Sequence, residues 1–239
     1  MVWLSKLFAV RKTQNLRLPA AQQRQIAAWR ELPVPDLNRS HYRSRYVLVD
    51  VATAGPDWKT GALKSIGALA LVDGLIHFND ALHAAMANEA VADRAQSAPV
   101  AQAPQGQQPG GEQRAEALLS FLGFVGKAPL VAFHASFAAR RIERAMAESL
   151  GIELSLPWID LAWVLASLFR EVGDTNVRLD AWLDHFGVDS IQRHHPVSDA
   201  YATAQVLQIT LAHAARKGVE TPVGLFELEK AHRHLYQSG

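Results

Sequence analysis

The chain contains no cysteine, which excludes a disulfide framework, a thiolate metal site and a cysteine nucleophile. It also lacks an excess of charge. The 24 Lys and Arg residues against 23 Asp and Glu leave a formal net charge of +1 over 239 residues, so no strong basic balance points to a nucleic-acid partner. Long hydrophobic runs are missing as well. The amino-terminal MVWLSKLFAVRK alternates apolar and basic residues and falls far short of the ~20 apolar residues a membrane span requires. It has neither the continuous apolar core nor the small-residue cleavage site of a signal peptide. It reads as an arm packed on the domain, with a short amphipathic segment lying on a membrane or a partner as the alternative. A reducing, cytoplasmic location is the expectation that follows.

What is present is enough apolar chain, 49% of residues against 20% charged, to bury one sizeable core. The expected division is a helical arm over 1–40, a main domain over 41–217 and a carboxyl-terminal helix over 218–239. Ala20 to Leu32 has a helical pattern stopped by the prolines of LPVPDL. RYVLVDV and LKSIGALAL are rich in strand formers, and Asp73-Gly74 sets up a hairpin into LIHFND. From Ala87 to Gly111, Pro, Gly and Gln replace periodic apolar residues, the composition of a mobile loop. Beyond it, EQRAEALLSFLGFVG, the short apolar PLVAF and SFAARRIERAMAESL continue a β-α-β-α rhythm, and the remainder reads as helices. A mixed sheet flanked by helices is therefore expected.

Two segments carry chemistry. YVLVDVATAG delivers Asp50 to the carboxyl end of the first long strand, where open α/β sheets place their ligand sites. In RHHPVSDAYATAQVL, His194 precedes Asp199 by five residues, and Asp199 falls in the first turn of a helix. A turn residue and a helix cap are the plain alternatives for the two aspartates. Arg140, Arg141 and Arg144 read as a solvated helix face or as phosphate contacts. Trp158, Trp163 and Trp182 read as core or interface residues. His232 and His234 are two apart and do not share a helix face.

The words YVLVDVATAG, IGALAL, VDGLI, LVAFHASFAARRIERAM and RHHPVSDAYATAQVL, in that order, resemble the DnaQ-like (DEDDh) 3'-to-5' exonuclease family, which includes the proofreading subunit of the bacterial replicative polymerase. The resemblance spans about Tyr46 to Ala214. It implies a ribonuclease H-like α/β fold with a mixed five-stranded sheet flanked by helices. It further implies four carboxylates holding two Mg²⁺ or Mn²⁺ ions and a histidine that activates water against a single-stranded 3' end. Hard cations of this kind need oxygen ligands, and a pair of them clamps both the attacking and the leaving oxygen.

Carried over by resemblance, Asp50 and Asp199 are the metal ligands, His194 is the general base, and Thr53 and Phe137 meet the substrate. Ala52 and Ala138 stand where the family places its other two acids. Asp57 and Glu143 are poor replacements, one lying beyond the turn and the other more than a helical turn away. The family's His-Gly-Ile-Thr-like segment is replaced by the Gln/Pro/Gly stretch near Gln102 to Gly111, its Thr-Gly by Ala54-Gly55, and a small residue by Pro196. Two functions compete. One is a degenerate, weak or inactive site on a protein that binds nucleic acid, a nucleotide or an unknown protein partner. The other is an active metal-dependent exonuclease on single-stranded DNA or RNA. Weak or absent Mg²⁺ or Mn²⁺ binding goes with the first.

Overall fold

The computed structural model describes residues 10–12, 16–54, 61–86, 111–192 and 195–237. The amino-terminal residues 1–9 and the expected mobile loop, apart from Gly111, lie outside the described residues.

At the centre is β2 (Arg45–Thr53), in which Tyr46 to Val49 are all buried. A continuous apolar run is what a strand covered on both faces requires. It pairs antiparallel with β3 (Leu63–Val72), which pairs antiparallel with β4 (Leu75–Ala85). On its other side β5 (Leu130–Ala132) and then β7 (Trp158–Asp160) run parallel. The sheet order is thus β4-β3-β2-β5-β7, mixed and five-stranded as expected. The β3–β4 hairpin turns on Asp73 (φ 53°) and Gly74 (φ 81°), the pair of positive angles that a two-residue hairpin needs. A side chain at Gly74 would meet the Tyr42 ring at 2.6 Å.

Alternation along β2 sorts its side chains onto the two faces. Val47 and Val49, with Ile66 and Ala68 of β3, face the helices α1 (Ala20–Glu31), α2 (Gly111–Val125) and α3 (Ala135–Leu150). Phe121, Ile142 and Met146 fill that side, and the Trp29 indole of α1 donates to the Gly126 carbonyl at 2.7 Å. Tyr46 and Leu48, with Leu69 and Leu71, face α4 (Leu161–Leu168), α5 (Leu179–Phe186), α6 (Pro196–Arg216) and α7 (Pro222–Gln237). The carboxyl-terminal α7 is part of this layer, since its Leu225 is fully buried there. A separate antiparallel pair joins β1 (Val10–Lys12) to β6 (Ile152–Leu154). None of the described helices is long and apolar enough to cross a membrane.

Candidate functional site

Asp50 lies on the α6 side of β2 because it follows Tyr46 and Leu48 in the alternation, and Ala52 follows it on the same side. What sits above Asp50 is decided by its neighbour in the next strand. Asp50 is paired with Gly67 of β3, and a Cβ built on Gly67 would lie 2.2 Å from the Pro196 backbone. Glycine thus lets the first turn of α6 rest directly on the sheet. Proline at the start of α6 suits a helix terminus, where its missing N–H would be unpaired anyway. Asp199, in that first turn, is delivered beside Asp50. Its backbone N–H donates to the His195 carbonyl at 2.9 Å, which fixes the turn.

The electrostatics record the proximity. Burial, and after it the charge of Asp199, push the Asp50 carboxyl up to about 7, with a backbone hydrogen bond at Val51 offsetting part of the rise. Two like charges in a partly desolvated place cannot both ionise freely.

The structure thus brings together Asp50 and Asp199, with Ala52 half-buried on the same side of β2. Thr53 ends β2 beyond a register shift and is half-buried. Ala138 is buried in a small cluster with Ala132 and Ala135 that packs against Val51 and Trp158, and Val51 points away from the Asp50 side. Phe137 is half-buried, with the Arg141 guanidinium 5.3 Å from its ring centre. His194 and Asp57 lie outside the described residues. Among the described residues, no group of three or more His, Asp or Glu side chains is placed to hold a metal ion.

The other singled-out residues lie elsewhere. The Glu143 carboxyl is raised by burial and by Glu153. Arg144 pairs with Glu148 at 2.6 Å, and Arg141 is buried. Trp182 is fully buried, and Trp163 lies beneath the Arg233 guanidinium at 4.5 Å and packs edge-on against His232 and Tyr236.

Sequence reasoning passed over two features of this region. His83 of β4 is paired with Gly67, so Asp50, Gly67 and His83 form one row across the sheet. Its ring meets that of His195, centre to centre at 5.4 Å. The second is Asp160, buried at the end of β7. It accepts from the Ala162 N–H at 3.2 Å and the His134 N–H at 3.1 Å, and it pairs with Arg233 of α7 at 3.1 Å. His134 holds a left-handed conformation (φ 58°) immediately before α3, an arrangement that costs a non-glycine residue free energy unless its surroundings impose it. The entry into α3, which carries Phe137 and Ala138, is therefore anchored through Asp160 to the carboxyl-terminal helix. A short strand of three residues gave no periodic signal that could have revealed β7.

Comparison with known proteins agrees with this architecture. No family model matches the chain. Over 167 residues, 70% of the chain, it is 26% identical to a protein named DNA polymerase III PolC-type from Thermotoga petrophila, and the match covers 12% of that protein. The protein of the same name from Thermotoga maritima is 26% identical over 161 residues, 11% of its length. The chain thus spans about an eighth of the curated relatives it matches. Among solved structures, E. coli exonuclease I in complex with a dT13 oligonucleotide superposes with a TM-score of 0.50 at 12% identity, over 73% of this chain and 42% of that one. These likenesses support the resemblance to the DnaQ-like exonuclease family. Its fold is the ribonuclease H-like arrangement expected of that family.

Proposed function

We propose that this DnaQ-like chain binds single-stranded nucleic acid ends, or a nucleotide, at the Asp50–Asp199 edge of its sheet and is degenerate as a 3'-to-5' exonuclease. The single observation that carries this reading is the donor set. Asp50 and Asp199 meet, while the two further acids of the family pattern are Ala52 and Ala138. Two cations that clamp one phosphate need several oxygen ligands, and the described residues do not fit such a pair. A carboxyl raised toward neutrality, as Asp50 is, is moreover a poor ligand until a cation offsets the repulsion. Weak or absent Mg²⁺ and Mn²⁺ binding follows.

The fold itself supports the nucleic-acid part of the proposal, since the structural neighbour was solved with an oligonucleotide. Thr53 and Phe137 are the contacts proposed for the strand end. His194 is the base that an intact site would use, worth ~10² to 10⁴ in rate only where a positioned water is available to it.

The competing reading, an active exonuclease, draws on the retention of both aspartates at one place. Incubation of 3'-labelled single-stranded DNA and RNA with the full chain and Mn²⁺ decides between them. The expected result is retarded mobility of the oligonucleotide with no release of mononucleotides. Mononucleotide release that disappears in Asp199→Ala would establish the active enzyme.

A further inference from the structure

We infer that His83 and His195 form a binding site for a single transition-metal ion of the zinc or nickel class, on the open side of the Asp50–Gly67–His83 row. The geometry comes from two independent constraints. Strand register places His83 opposite Gly67, and directly paired residues of antiparallel strands point to the same side of the sheet. The close seating of α6 on Gly67 then sets His195, its capping residue, above that position. The two rings meet with their centres 5.4 Å apart and their planes inclined by 35°.

That separation is compatible with a shared ion. Two imidazoles bound to one zinc at about 2.0–2.1 Å, with a tetrahedral angle between them, have ring centres about 5.2 Å apart. Imidazole is a ligand for Zn²⁺, Ni²⁺ and Cu²⁺, whereas Mg²⁺ takes oxygen. His83 is exposed and His195 half-exposed, so an ion has an entry path and water has room to complete its shell. Among the described residues no third His, Asp or Glu completes a cluster. The site is therefore a two-imidazole site finished by water, with exchangeable binding rather than a permanent structural ion. Asp199, four residues after His195, stands on the same turn of α6. A cation held there would lie beside the acidic pair without requiring the alanine positions.

The proposal goes beyond nucleic-acid binding and is tested apart from it. The full chain, stripped with EDTA and dialysed, is titrated calorimetrically with NiCl₂, ZnCl₂ and MgCl₂. Saturable binding of about one Ni²⁺ or Zn²⁺ per chain is expected, with none for Mg²⁺. His83→Gln and His195→Gln should each bind Ni²⁺ at least about tenfold more weakly, the lower end of what losing a supporting group costs a metal site. The variant with both His232→Gln and His234→Gln should bind as the unaltered chain does. Because His83 is an exposed residue of an edge strand, its variant keeps its fold, which circular dichroism confirms. The absence of saturable binding, or binding unchanged in His83→Gln, would show that the rings are merely stacked and overturn the proposal. Single-strand binding measured in EDTA reports on the other reading alone, so the two succeed or fail separately.

Discussion

Asp50 is a carboxyl group that the fold holds against its own ionisation. Burial and the charge of Asp199 raise it to about 7, while an unfolded chain leaves an aspartate near 3.9. Between those values the folded state keeps a proton that the unfolded state has lost, so Asp50 stabilises the fold at low pH and this contribution fades as pH rises from about 4 to 7. Asp50→Asn, which stays neutral throughout, should therefore raise stability at pH 8 by about 1–3 kcal/mol, a value reduced for the part of the site open to water, and leave it nearly unchanged at pH 4.5. Urea denaturation at the two pH values measures this, and an equal effect at both would contradict the assigned cause. His41 has the opposite sign. Its Nε2 donates to the Val219 carbonyl at 3.0 Å, which leaves Nδ1 to accept from the Tyr46 hydroxyl at 2.6 Å. Burial lowers its pKa, so the stability linked to neutral His41 is lost as pH falls below about 6.5. Both aspartates of the site were legible as residue types at motif spacing. The shift of Asp50 was not, because it depends on how deeply the sheet and α6 bury it.

Secondary structure elements, rather than individual residues, bring the site together, and Gly67 is where that assembly is most exposed to test. In sequence it is one small residue within LKSIGALAL, and strand reasoning alone gives it no role. In the fold its missing side chain is the space that the first turn of α6 occupies. Gly67→Ala forces its methyl group against the Pro196 backbone at 2.2 Å, and since neither a Cβ nor the backbone can swing away, overpacking should cost about 1–3 kcal/mol or more. The same change lifts Asp199 from Asp50, so the pKa of Asp50 should fall toward its ordinary value. Nuclear magnetic resonance titration of the carboxyl carbon would record this, and an unshifted Asp50 would mean that α6 does not rest on Gly67. On the β7 edge of the sheet, Arg233→Met leaves buried Asp160 and Glu229 without their cation. Because Arg233 is partly exposed, the expected loss is about 1–3 kcal/mol rather than the full cost of breaking a buried pair. The long elements were legible because burial on two faces writes continuous apolar strands and periodic helices into the sequence. β7 and the β1–β6 pair are three residues per strand, too short for a period to show, and the Asp160–Arg233 link joins positions 73 residues apart, which no local pattern records.

Across the whole molecule, the proposed reading takes Asp50 and Asp199, which interact at one end of the sheet, as two of the four acids that the resemblance implies. Restoring the count is a test of the fold as a scaffold. Ala52→Glu adds a carboxylate on the Asp50 side of β2, and Ala138→Asp adds one inside the apolar cluster of Ala132, Ala135 and Val51. Without a cation, both changes add negative charge to a place that already resists it, so the double variant should be less stable than the unaltered chain. Magnesium reverses the sign only where the oxygens converge, because it binds octahedrally through oxygen and ignores the imidazoles of His83 and His195. If they do converge, Mg²⁺ at about 100 times its dissociation constant returns about 2.7 kcal/mol, or about 5–10 °C in the melting temperature of a chain this size. Neither single variant should gain as much, since ligands that act as a unit are not additive. Differential scanning fluorimetry with and without millimolar Mg²⁺ on the four proteins reads this directly. An equal gain in the unaltered chain would mean that Asp50 and Asp199 already hold the cation with ligands outside the described residues, and the degenerate reading of the site would fall with it.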